Sequence, residues 1–259
     1  MKPSPFFSII TVVFNGGKTI ERTIQSILKQ EFKDYEYIIQ DGGSKDNTLE
    51  IAHSYEEKFE GRLTIYSERD KGIYDAMNKG ITQARGQYIW LVNADDYITD
   101  NSLNDIFDVC KAHDFKPCVL SGCLNMVDAD TMKLKYTSTP YTKKSYEKSC
   151  KRLKMGICHP ATIVHKNIYG KIGVYDDRYY ISADVDFCLR CYRSGVDVEF
   201  FDKVVTNMSD GGVSNQFTIK KNMHDCKLRT AKFCNGWWHR AQYTIWFFCR
   251  LIALKILNL

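Results

Sequence analysis

The sequence is short of the features that mark several protein classes. It has five prolines in 259 residues, no internal repeat and no low-complexity run, which argues against a fibrous or largely disordered chain. Its ten cysteines are scattered singly. The one Cys-x-x-Cys, at Cys188 and Cys191, has no matching second pair. That spacing argues against a disulfide framework or a four-thiolate zinc site and fits buried thiols in a reduced compartment. The start carries no signal-peptide pattern. No apolar run reaches the ~20 clean residues of a spanning helix. No Gly-x-Gly-x-x-Gly follows the first strand-like run, which argues against a dinucleotide site. Acid is nearly missing from one stretch: residues 216–259 hold eight basic residues and a single acid, Asp225. That stretch carries +7 while the whole chain carries +5, so residues 1–215 sum to −2. The remainder is ordinary globular composition, 44% hydrophobic and 26% charged, enough for one large domain or two small ones.

What is present is an alternation of strands and helices. Residues 7–14 form an apolar strand broken by Asn15-Gly16-Gly17, after which Ile20, Ile24, Ile27 and Leu28 recur at helical spacing. A second strand at 35–39 stops at Gln40-Asp41-Gly42-Gly43-Ser44, and Asp46 can cap the helix that runs to Tyr55. A third strand at 63–66 precedes Arg69-Asp70-Lys71-Gly72 and a helix over 73–84, closed by Gly86. The order predicts βαβ units and a parallel sheet. The turns after the first, second and fourth strands should share one edge, where open α/β sheets bind ligands.

The chain is organised around the fourth strand. Gln87-Tyr88-Ile89-Trp90-Leu91-Val92 reads as a buried strand and runs into Asn93-Ala94-Asp95-Asp96. Two carboxylates at such an edge suit Mg²⁺ or Mn²⁺ shared with a diphosphate. Taken alone, they read equally as a cap and a solvated acid before a helix over 98–110. Further on, a strand is expected at 117–122, a polar excursion at 128–150, a strand at 161–165 after His159-Pro160, and a helix from Asp184 and Asp186 to Gly195. A last strand at 196–205 and a loop at 207–214 follow.

Five ordered stretches together resemble a family-2 glycosyltransferase of the GT-A fold over residues 6 to 214. They are residues 8–15, 41–48 and 67–80, then Asn93-Ala94-Asp95-Asp96 and Ser182-Ala183-Asp184-Val185-Asp186. The resemblance is closest to bacterial enzymes that build capsule, exopolysaccharide and O-antigen units. It implies an α/β, Rossmann-like, mostly parallel sheet flanked by helices. It implies donor contacts at Thr11, Phe14, Asn15, Asp41, Asp70, Lys71, Asn93, Ala94 and Asp95, with Asp41 holding the nucleoside. Asp95 is the implied ligand of Mg²⁺ or Mn²⁺, with Asp96 compensating for Asn93, which stands where an acid is usual. Asp184 is the implied general base of an inverting transfer, with Asp186 as its rival. His159 and Asp186 would line the acceptor pocket, and Gly211-Gly212 would close over donor phosphate. Gly42 replaces the second acid of the family's Asp-Asp-Gly-Ser turn. This leaves the base open, with UDP the commonest choice.

The basic tail interleaves Trp237, Trp238, Tyr243, Trp246, Phe247 and Phe248 with Arg240 and Arg250. The sequence therefore predicts two units: residues 1–215 as the transferase and 216–259 as an amphipathic helical tail on an anionic membrane surface. A helical hairpin or a dimer contact is the alternative. The acidic balance of residues 1–215 argues against nucleic acid. An enzyme so placed, peripheral on the cytoplasmic face of the inner membrane, implies a polyprenyl-diphosphate-linked acceptor. Two other readings share the motifs: a polyprenyl-phosphate sugar synthase, and a sugar-nucleotide-binding scaffold without turnover.

Overall fold

The computed structural model describes residues 4–211 and 218–256. Nine strands, β1 (Phe7–Val13), β2 (Tyr35–Asp41), β3 (Leu63–Ser67), β4 (Tyr88–Leu91), β5 (Tyr97–Ile98), β6 (Val119–Val127), β7 (Leu134–Thr137), β8 (Thr162–His165) and β9 (Val198–Ser209), form one sheet. Its order is β3-β2-β1-β4-β8-β6-β9-β5, with β7 paired to β6. The expected parallel pairing holds across β3-β2-β1-β4. Beyond β4 the sheet is mixed: β8 runs antiparallel to β4 and β6, while β9 runs parallel to β6.

The helices are α1 (Ile20–Leu28), α2 (Thr48–His53), α3 (Ile73–Gln83), α4 (Ser102–Ala112), α5 (Lys143–Lys151), α6 (Lys166–Ile172), α7 (Ala183–Arg193), α8 (Ile219–Phe233) and α9 (Trp237–Ile256). Alternation along β1 divides the core. Phe7, Ile9 and Val13 face α1, α2 and α4 through Ile20, Ile24, Ala52 and Leu103. Ile10 and Val12 face α3, α6 and α7 through Tyr74, Met77, Ile168 and Phe187. α3 lies so close that a Cβ at Gly80 would stand 2.5 Å from Ile10 Cγ2, a contact only glycine permits.

Register fixes the functional edge. Val13 pairs with Asp41 and Asp41 with Ser67, so β1, β2 and β3 end level. Ile10 pairs with Leu91, which brings Asn93 and Ala94 level with Val12 and Val13.

Three sequence expectations are corrected here. The helix expected over 98–110 starts at Ser102, because Tyr97–Ile98 pairs with β9. The excursion at 128–150 is folded: β7 pairs with β6, and α5 buries Tyr146 and Cys150 against Cys188 and Leu189 of α7. The tail does not begin a separate unit at 216. α8 packs on the domain with Asp225, Cys226, Arg229 and Phe233 buried. Cys188 and Cys191 are buried free thiols, as their spacing predicts. Gly212 of the expected closing loop lies outside the described residues.

Candidate active site

The turns after β1 and β2 are hydrogen-bonded to one another. Asn15 adopts the left-handed region (φ 51°), which asparagine tolerates. Its N–H donates to Ser44 Oγ at 2.7 Å and its Oδ1 accepts from Lys45 N at 2.8 Å. Gly16 N donates to Thr48 Oγ1 at 2.9 Å. Phe14 stands 63% exposed on this edge. Two residues expected here face inward instead. Thr11 is fully buried, and its hydroxyl accepts from Tyr37 at 3.0 Å. Asp41 is also fully buried; its carboxylate accepts from Gly43 N, Ser44 N and Ser67 Oγ at 3.0, 3.1 and 2.7 Å. Those donors satisfy a buried carboxylate, so Asp41 builds the turn. Asp70 is half-buried over Gly42, while Lys71 is exposed and donates its backbone N–H to Asp75 at 3.0 Å.

At the β4 edge, Arg22 and Ser209 fix the main chain by donating to the Asp95 carbonyl at 2.9 and 2.7 Å. The Asp95 carboxylate is half-buried and has no side-chain hydrogen bond among the described residues beyond that to its own backbone N–H; burial raises its pKa, and Arg22 opposes that. Asp96 turns inward, 2% exposed, and accepts the Ser209 N–H at 3.0 Å with the Asn93 amide also directed at it. Burial and then the Asp95 charge push its carboxyl up to about 8. Asp96 therefore staples β4 to β9 rather than serving as the expected second metal ligand, and the Asn93 side chain supports it. Ala94 is buried, its carbonyl taking a hydrogen bond from Thr23. Among the described residues no three His, Cys, Asp or Glu side chains group to hold an ion. At the β4 end, among the described residues, Asp95 is the carboxylate left open to the edge. This fits a Mg²⁺ or Mn²⁺ that takes its other ligands from substrate oxygens and water.

On the sheet face covered by α3, α6 and α7, Asp184 sits in the first turn of α7, half-buried. It accepts from Val185 N at 2.8 Å. Burial raises its pKa; His159 and Arg229 oppose that. His159 Nε2 lies 3.3 Å from Tyr175 Oη, and burial holds its pKa below the ordinary value. α3 is locked to this region: Asn78 Nδ2 donates to Tyr175 O at 2.8 Å and Tyr175 N returns to Asn78 Oδ1 at 3.0 Å. The loop before α7 is held from the other side by α8. Asp225 accepts from Tyr180 N, Ile181 N and Ser182 Oγ, all at 2.9 Å, and Arg229 Nη2 donates to Ser182 Oγ at 2.7 Å.

Asp186 is corrected. It is fully buried and paired with Arg190 Nε and Lys232 Nζ, both at 2.7 Å. It is a structural ion pair, with no free oxygen for an acceptor. The sequence reading missed Asp225, Arg229 and Lys232 because it set the tail aside. The signal was there: a lone acid in a 44-residue basic stretch has a specific partner to meet.

The curled sheet flanked by helices is the GT-A fold. Residues 8–173 match the family described as Glycosyl transferase family 2, and the chain belongs to it. A PGL/p-HBAD biosynthesis glycosyltransferase of Mycobacterium bovis is 29% identical over 88% of this chain and 86% of its own. S. aureus TarS 1-349 in complex with UDP-GlcNAc superposes with TM-score 0.69 at 20% identity, over 93% of this chain and 71% of that one. A Pyrobaculum calidifontis mannosyltransferase in complex with GDP-Man and Mn²⁺ gives 0.64 at 15%, over 97% and 74%.

Proposed function

We propose that this transferase moves a sugar, with inversion, from a nucleotide sugar to a lipid-linked sugar acceptor in bacterial surface polysaccharide synthesis. The observation that carries the reading is Asp184. It is half-buried, its pKa is raised by burial, and it is free of the ion pairs that consume Asp186. That is the condition of a general base rather than a structural acid. The acceptor hydroxyl gives its proton to Asp184 as its oxygen attacks the anomeric carbon. The bond to the diphosphate breaks on the opposite face, and the nucleoside diphosphate leaves. His159, neutral at physiological pH because its pKa is lowered, orients the hydroxyl. A divalent cation held by Asp95 and the diphosphate oxygens would offset the charge developing on the leaving group. The donor and ion named with the two superposed structures, UDP-GlcNAc and GDP-Man with Mn²⁺, support a nucleotide sugar and a divalent metal here. UDP stays the first donor to test.

The polyprenyl-diphosphate acceptor rests on α9. Trp237, Trp238, Ile245 and Phe248 are exposed at 76, 62, 64 and 42%, with Arg240 beside them. No described helix is long and apolar enough to cross a membrane. Such a helix suits the anionic cytoplasmic face of the inner membrane. The side chains of Trp246 and Arg250, counted in that surface from sequence, lie outside the described residues. A panel of sugar nucleotides with Mn²⁺ tests the reading. Donor turnover with one of them supports it; tight donor binding with no hydrolysis or transfer would favour the scaffold.

A further inference from the structure

The acid that sequence assigns to the nucleoside, Asp41, is sealed in its own turn. The next position, 42, is glycine. The space over Gly42 is filled all the same. A Cβ there would stand 2.3 Å from Asp70 Oδ2, 3.2 Å from Asp70 Cγ and 3.4 Å from Phe14 Cδ2. Asp70 therefore lays its carboxylate over Gly42 from the loop between β3 and α3, at the edge of the exposed Phe14 ring. An acid at 42 and an acid at 70 exclude one another sterically. Asp70 Oδ1 accepts the Gly72 N–H at 2.9 Å and closes the loop. Oδ2 has no hydrogen-bond partner among the described residues.

We propose that Asp70 Oδ2 reads the donor's nucleobase by accepting the ring N–H of uracil or guanine, with the base lying on Phe14. This rests on the nucleotide-sugar reading of the site. Sheet order separates the two ends of the nucleotide. Asp95 follows β4 and marks the diphosphate end. Gly42 follows β2, two strands away at about 4.8 Å per strand, and Asp70 follows β3, a third strand away. A base reaches that far end; ribose and phosphate come first. The chemistry then selects. An ionised carboxylate only accepts hydrogen bonds. Uracil N3–H and guanine N1–H are donors. Cytosine N3 and adenine N1 present lone pairs at the matching place and are repelled.

The test titrates the full chain with Mn²⁺ and UDP, GDP, CDP or ADP by calorimetry, adding the favoured diphosphate methylated at its ring nitrogen. The wild type should prefer UDP or GDP by about tenfold or more, and the methyl group should remove the preference. Asp70→Asn keeps the side-chain shape and the Gly72 bond. It should weaken the favoured diphosphate roughly tenfold to a hundredfold, the range of a hydrogen bond to a charged group, and tighten CDP and ADP, whose ring lone pairs then meet an N–H donor in place of a carboxylate. Gly42→Ala, which drives a methyl into Oδ2, should act in the same direction. Thermal melts near wild type for at least one of the two variants make the comparison fair. Equal loss for all four diphosphates, or a preference that survives Asp70→Asn, overturns the assignment. A wild type that binds none of them overturns the nucleotide-sugar reading as well, before any substitution is made.

Discussion

The Ser182 hydroxyl donates to the Asp225 carboxylate at 2.9 Å, which ties the residue before α7 to α8, 43 positions later in the chain. With the Tyr180 and Ile181 N–H groups on the same carboxylate, the approach to Asp184 is set by a helix that lies outside the span of the family match.

Asp225→Ala should therefore lower stability and kcat together. A buried donor left without a partner costs about 1–3 kcal/mol; this substitution strands the buried Ser182 hydroxyl and, at lower cost, the partly buried Tyr180 and Ile181 N–H groups. Asp225→Asn retains one acceptor and should fall between. Thermal melts and donor-saturated kcat check it; a wild-type kcat in Asp225→Ala would show that α8 does not position the base.

The two C-terminal helices should separate by truncation. Deleting residues 236–259 removes α9 and should leave a folded domain that binds donor. Its affinity for anionic vesicles should fall, and that of the intact chain should weaken with salt, since each basic residue at such a surface contributes about 1 kcal/mol. Deleting residues 218–259 also removes Asp225, Arg229 and Lys232 and should leave an unfolded or aggregated chain. Melts and co-sedimentation read both. Equal vesicle binding with and without α9 would remove the membrane role.

The pH profile should carry the mark of Asp184. The base works deprotonated, so activity is lost as pH falls through its folded pKa. Burial raises that value, so the acid limb of kcat/KM should lie above the ordinary carboxylate range near 4 and disappear with the residual activity of Asp184→Asn. A limb at the ordinary value would contradict the buried base.

Asp95→Asn should leave the fold intact, because among the described residues the carboxylate is hydrogen-bonded to nothing beyond its own backbone. It should abolish Mn²⁺-dependent transfer. A titration with Mn²⁺ that reads like wild type would remove Asp95 as the ligand.

Much of the fold was legible because β1, β2 and β4 are near-continuous apolar runs broken by Gly- or Asp-bearing turns. α1 was readable from the spacing of Ile20, Ile24 and Ile27. β7 and α5 were not readable. β7 is exposed along its whole length, so nothing in its pattern marks a strand, and α5 is held by a tertiary contact of Tyr146 and Cys150 with α7. At the site, the positions of the acids were legible and their directions were not. Asp41, Asp96 and Asp186 look like Asp95 and Asp184 in sequence. Only packing shows that Ser67, Ser209 and the Arg190–Lys232 pair claim the first three. The tail misled because its charge was read as a whole, while Asp225, Arg229 and Lys232 each had an internal partner.

One comparison decides which acid is the base: transfer at saturating donor and Mn²⁺ by Asp184→Asn and Asp186→Asn beside wild type, with donor affinity measured for each. Asp184→Asn should bind donor as wild type does and lose about 10²–10⁴ in kcat, the contribution of a general base. Asp186→Asn should lower the melting temperature and retain more activity in the fraction that stays folded. Wild-type turnover by a folded Asp184→Asn protein would contradict the assignment of the base.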